Sequence, residues 1–236
     1  MVRRARVVIP GVAHHVTQRG NNRQDVFFTD EDRIAYLDLL KKQSELYGMS
    51  VHGYCLMTNH IHLIVVPKNQ DALAKAVGRT HYRFTQFINM LHDRSGHLWQ
   101  NRFYSCPLDD RHYIEAMRYV ERNPVHAKLV RCAWRWPWSS AALHSGMGQA
   151  GRELLDMQAW RAQRISEQDW KNELAQPCDE ATHTAIRNAT ETGRPLGSDE
   201  FISELESQVG RRLSPLPRGR PKNTPARRQQ LEREDS

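Results

Sequence analysis

The stretch Ser50-Val-His-Gly-Tyr-Cys-Leu-Met57, Thr58-Asn59, His60-Ile-His-Leu-Ile-Val-Val-Pro67 decides the fold. Two apolar, β-branched runs flank a short polar pair, which is the pattern of two strands joined by a tight connection. Pro67 ends the second run, because proline cannot donate to a continuing ladder. Along that strand, residues two apart share a face. His60 and His62 therefore point one way, and Ile61 and Leu63 the other.

Upstream, Val12 to Gln18 reads as a strand ending near Gly20, before the turn-forming Arg19-Gly-Asn-Asn-Arg23. Thr29 with Asp30, Glu31 and Asp32 starts a helix, with acids at its positive end. Ile34, Leu37, Leu40 and Tyr47 make its expected stripe, and Gly48 its stop. Downstream, Asp71 opens a second helix carrying Leu73, Val77, Phe84, Ile88 and Leu91. Leu98 to Pro107 is expected as a strand. A third helix is expected from Arg111 to Arg122, capped by Asp109-Asp110 and ended by Asn123-Pro124. The order β-α-β-β-α-β, then a helix, is that of an α+β, ferredoxin-like split βαβ core with a central antiparallel sheet.

After Trp134-Arg-Trp-Pro-Trp-Ser-Ser140 the composition changes. Short helices are expected at 153–165, 166–174, 179–190 and 198–213, with Ser166 and Asp169 in capping-box spacing. The last two read either as a helix-turn-helix or as two packing helices. From Ser214 the chain is rich in Pro, Arg and Lys, and disorder is expected. The expected division is a first domain over 1–145, a helical extension over 146–213 and a basic tail over 214–236.

The charge has an address. Seven of the 34 Lys and Arg lie between Glu206 and Glu232 with no acid among them, and the other 27 balance the 27 acids. A basic tail points to polyanion contact. Within it, Pro217-Arg-Gly-Arg-Pro-Lys222 resembles an AT-hook, so Arg218, Arg220 and Lys222 are candidate minor-groove contacts. No apolar run approaches the ~20 residues of a membrane helix. Cys55, Cys106, Cys132 and Cys178 are scattered, which argues against a disulfide framework or zinc knuckle and fits the cytoplasm.

Two imidazoles on one strand face can begin a metal site, although His-x-His also occurs as two polar residues on a half-exposed strand. On the third helix, Tyr113, Ile114, Met117 and Val120 form the apolar stripe. Tyr119 lies off it, one turn before Asn123. Locally, a surface tyrosine above an asparagine cap explains that pair as well.

Four runs together resemble the REP-associated tyrosine transposases, relatives of the single-tyrosine insertion-sequence enzymes of the HUH endonuclease superfamily. They are His15-Val-Thr-Gln-Arg-Gly-Asn21, Asn59-His-Ile-His62, Trp99-Gln-Asn-Arg-Phe103 and Tyr119-Val-Glu-Arg-Asn-Pro-Val125. The resemblance runs from about Val12 to Ser140. It implies a nucleophilic Tyr119, with His60, His62 and Asn123 as ligands of Mg²⁺ or Mn²⁺. It implies nicking and strand transfer on single-stranded or hairpin DNA through a 5′-phosphotyrosine. A replication-initiator nickase and a catalytically silent DNA-binding protein of the same fold are the rival readings, and the protein acts as a monomer or homodimer. Arg19, Asn21, Asn22, Arg23, Arg83 and Arg102 are candidate DNA contacts, the arginines near Tyr82, Phe84, Trp99 and Phe103 suiting backbone contact and base stacking.

Overall fold

A computed structural model describes residues 6–148, 151–177 and 179–215. Strand β1 (Ala13–Arg19) leads to helix α1 (Asp30–Tyr47), the hairpin β2 (Met49–Leu56) and β3 (His60–Pro67), helix α2 (Ala72–Leu91), strand β4 (Tyr104–Leu108) and helix α3 (Asp110–His126). The sheet order is β2-β3-β1-β4. All three pairings are antiparallel. This is the split βαβ arrangement expected, and it makes β3 a central strand.

The caps follow local chemistry. The Thr29 side chain accepts from the Asp32 N–H while Asp32 reaches back to the Thr29 N–H. Gly48 closes α1 at φ 68°, the left-handed conformation that glycine adopts without strain.

Val16, Ile61, Leu63 and Val65 face α1 and α2, where Tyr36, Leu40, Leu73, Val77, Phe84 and Ile88 complete the main core. Cys55, Ile64 and Cys106 face the other way and are covered by Tyr113, Ala116, Met117 and Val120 of α3. Helices α4 (Ala141–His144), α5 (Met157–Ala162), α6 (Glu167–Ala175) and α7 (Glu180–Thr192) extend that second layer. There Trp160, Trp170, Leu174, Ile186 and Ala189 are buried. The last helix, α8 (Asp199–Val209), packs Leu205 on Val7 and Ile9 near the N-terminus.

Four expectations are corrected. The buried face of α1 carries Arg33, Tyr36, Leu40, Gln43 and Ser44, and Ile34 is exposed. The Arg33 guanidinium donates to the Thr29 carbonyl and to Asp30, so burial does not follow hydropathy there. Leu91 is likewise exposed, at the end of α2. Strand β4 starts at Tyr104 instead of Leu98. The apolar residues before it are buried as a loop, tied by the Gln100 N–H to the Arg19 carbonyl and the Asn21 N–H to the Leu98 carbonyl. Helix α3 runs through Pro124 to His126. A proline in the last turn removes one backbone bond, and the turn still closes through Ala127 N–H to the Asn123 carbonyl.

Candidate active site

The continuation of α3 places Tyr119 and Asn123 one above the other on a face turned toward β3. The Tyr119 ring lies edge-on to the His62 ring, with centroids 5.5 Å apart, and edge-on to His15 at 5.6 Å. The His60 and His62 rings are near-perpendicular, with centroids 5.0 Å apart. The Asn123 side-chain amide is a neighbour of His60 and of Tyr119 on this face, and its Nδ2 donates to the Tyr119 backbone carbonyl at 3.5 Å. All four residues singled out in the sequence thus meet at one spot, although His60, Tyr119 and Asn123 are half-buried and only His62 is fully enclosed.

Burial governs the electrostatics. It pushes the His60 imidazole down to about 4, with Arg19 adding to the effect and Asn123 opposing it. His62 is held well below its ordinary value by burial, His60, His15 and Arg19. Both rings are neutral at pH 7 and keep a lone pair, as metal ligands must. His60 Nδ1 donates to Asn59 Oδ1 at 2.7 Å, which leaves its Nε2 bare. Tyr119 is raised by burial, while Asn123, Arg187 and Arg19 pull it back.

Two imidazole nitrogens and an amide oxygen fit a divalent cation of intermediate hardness and leave positions open for phosphate oxygens. Among the described residues no group of three His, Cys, Asp or Glu is arranged to hold a metal. The Asn123 amide is the third side chain that the geometry brings to the histidine pair.

The candidate DNA contacts separate by place. Arg19 is exposed and pairs with His60 across the β1–β3 ladder. Asn21, Asn22 and Arg23 form the 3₁₀ turn after β1, and the Arg23 carbonyl accepts from Asn59 Nδ2 at 3.0 Å, beside His60. Arg102 lines a cleft of about 900 Å³ together with Arg6, Arg194, Arg211 and Arg212, and Thr190 of α7 lines it too. There Arg6 is pushed down to about 10 by burial and the neighbouring charge of Arg102. Arg83 is exposed on α2, on the side of the sheet away from Tyr119. Trp99, Phe84 and Phe103 are buried, so they cannot stack on bases as expected; Tyr82 is exposed. Arg218, Arg220 and Lys222 lie outside the described residues.

Sequence reasoning missed what covers this face. Helix α7 brings His183 edge-on to Tyr119, with centroids 4.8 Å apart. It also brings Thr190 to His15 at 2.7 Å. No spacing rule links a helix near residue 185 to a strand near residue 60. His15, by contrast, lies in the run His15-Val-Thr-Gln-Arg-Gly-Asn21, and the β1–β3 register puts it on the His62 face.

Residues 9–123 match the family model of IS200-like transposases. A Haemophilus influenzae protein assigned as a REP-associated tyrosine transposase is 28% identical over 124 residues, covering 48% of this chain and 68% of that one. A solved structure of a REP-associated tyrosine transposase bound to a REP hairpin aligns with a TM-score of 0.54 at 20% identity, covering 63% of this chain and 89% of that one. At that identity the likeness speaks for the fold.

Proposed function

Because residues 9–123 match the family model of IS200-like transposases, we propose that this chain is a metal-dependent, single-stranded DNA endonuclease and strand transferase acting on hairpin-forming repeat DNA. The observation that carries the reading is the meeting of Tyr119 with His60, His62 and Asn123 across two elements far apart in sequence.

In this reading His60, His62 and Asn123 hold Mg²⁺ or Mn²⁺, which would neutralise charge on the scissile phosphate. Arg19 adds a fixed positive charge beside the same phosphate. The Tyr119 oxygen attacks phosphorus in line and loses its proton to solvent. The bond to the 3′ oxygen breaks, and that oxygen leaves as a 3′-hydroxyl after taking up a proton. The 5′ end stays on tyrosine. The phosphodiester count is unchanged, so a later 3′-hydroxyl can reverse the step and join strands.

The division into a catalytic part (1–145), a helical extension (146–213) and a basic tail (214–236) is part of the proposal. So is contact of Asn21, Asn22, Arg23 and Arg102 with the DNA backbone. Thr190 and His183 on α7 support a role for the extension at the active site itself, in addition to any role of α7 and α8 as a DNA-reading pair.

The test is Tyr119→Phe on a hairpin-bearing single strand. Folding and DNA binding should persist, and the covalent protein–DNA species should vanish. Normal cleavage by this variant would sink the assignment.

A further inference from the structure

His15 and Thr190 lie behind His62, and only one direction satisfies all of the hydrogen bonds that join them. Thr190 Oγ1 is 2.8 Å from the Ile186 carbonyl, which can only accept, so the single hydroxyl proton is committed there. The same oxygen is 2.7 Å from His15 Nδ1. It must accept from that nitrogen. His15 is then protonated at Nδ1 and, being neutral, bare at Nε2. His15 Nε2 is 2.9 Å from His62 Nδ1 and must accept in turn. His62 therefore carries its proton on Nδ1 and presents a bare Nε2.

The ring geometry agrees. The two imidazoles are within 7° of parallel with centroids 5.2 Å apart. Combined with a 2.9 Å N···N distance, this describes two rings edge to edge in one plane, joined by an in-line N–H···N bond, and not a face-to-face stack. Cys106 Sγ, 3.2 Å from Thr190 Oγ1, can supply a second donor to the same oxygen and help hold it.

We infer that His15 and Thr190 are positioning residues, forming a relay from α7 that fixes His62 in the tautomer whose Nε2 lone pair is free for a metal. A ligating histidine generally has its other nitrogen held by an outer partner, and loss of that partner typically lowers metal affinity roughly 10- to 100-fold. In this chain the anchor comes from Thr190, outside the segment 9–123 that matches the family model. The relay thus makes the C-terminal extension part of the site. Its value for metal binding rests on the proposed role of His62.

The test is long-range ¹H–¹⁵N NMR of the imidazoles in the full-length, metal-free protein, followed by titration with Mn²⁺. The relay predicts Nδ1–H and bare Nε2 for both His15 and His62. Thr190→Val removes the acceptor while keeping the shape. His15 should then shift its proton to Nε2 and donate to His62, so that His62 carries Nε2–H, and Mn²⁺ affinity should fall about 10- to 100-fold. Thr190→Ser keeps the hydroxyl and should restore both. An unchanged amide spectrum away from α7 shows that the valine variant is folded.

Nε2–H on His62 in the wild type would overturn the relay. So would a Thr190→Val protein with unaltered His15 and His62 tautomers. Wild-type protein with the stated tautomers but no Mn²⁺ effect at His60 and His62 would support the relay and count against the metal reading alone.

Discussion

Glu121 sits two residues beyond Tyr119 on α3 and is fully buried. Its Oε1 accepts from Ser140 Oγ and from His144 Nδ1, the latter at 2.6 Å, and its Oε2 accepts from Trp170 Nε1 at 2.7 Å. One carboxylate thus ties the tyrosine helix to the segment before α4, to α4 itself and to α6. Glu121→Ala would strand the buried donors of His144 and Trp170, leave the Ser140 hydroxyl only the Tyr54 carbonyl at 3.3 Å, and open a cavity. Each unsatisfied donor costs about 1–3 kcal/mol, and removing one partner of a buried ionic cluster typically costs ~3–5 kcal/mol. Water entering the cavity would offset part of the sum, so about 3–5 kcal/mol is expected for the whole change. For a chain of this size each kcal/mol shifts Tm by ~2–4 °C, giving a fall of roughly 6–20 °C. Glu121→Gln keeps the shape and one acceptor, and should fall between wild type and alanine. Thermal unfolding followed by circular dichroism, with urea titration for the free energy, reads both. A Glu121→Ala protein melting within ~2 °C of wild type, where surface changes usually lie, would refute the view that this cluster holds α3 in place.

Acid should also destabilise the fold through His81, which is buried against Trp99 and bonded to the Tyr36 hydroxyl at 3.0 Å. Burial pushes its imidazole down to about 3 from an ordinary 6.5. The unfolded chain binds the proton more readily, so this stability is complete above about 6.5 and drains away as pH falls toward 3. Between pH 7 and 5 the loss from this group should be about 2 kcal/mol. His81→Gln should flatten the stability–pH slope by about that amount in urea unfolding, and an unchanged slope would count against it. In the basic cleft, Arg102→Ala with Arg194→Ala should weaken single-strand binding. It should also reduce the slope of log affinity against log salt by ~1.4, at about 0.7 per lost phosphate contact. Equal slopes for wild type and variant in a fluorescence-anisotropy salt series would remove the cleft from the DNA path.

Much of the core was legible because its signals are short-range. The alternation around His60 and His62, the Thr29 cap and the Gly48 stop each act within one turn or one hairpin, and each appears where the residues place it. Failures occurred where tertiary contacts outweigh local pattern. Arg33 is buried while Ile34 is exposed, because carbonyl and carboxylate partners receive the guanidinium. Leu98, Trp99 and Phe103 are apolar as in a strand but are buried from a loop packed against α2, with Gln100, Asn101 and Arg102 exposed between them. Pro124 looked like a stop, yet it lies in the last turn, where it removes one backbone bond and leaves the Ala127 N–H to the Asn123 carbonyl intact. The site shows the same division. Strand and helix periodicity put the histidines on one face and Tyr119 with Asn123 on another, but nothing local signalled Thr190 or the buried Glu121 cluster. Those partners come from 19 to 175 residues away in the chain.

The most direct test of the account is to trap the protein on a hairpin-bearing single strand with Mn²⁺, digest it, and locate the DNA-linked peptide by mass spectrometry. The account predicts a single phosphotyrosine at Tyr119 joined to a 5′ phosphate. A covalent link at any other residue, or cleavage with no covalent species at all, would contradict it.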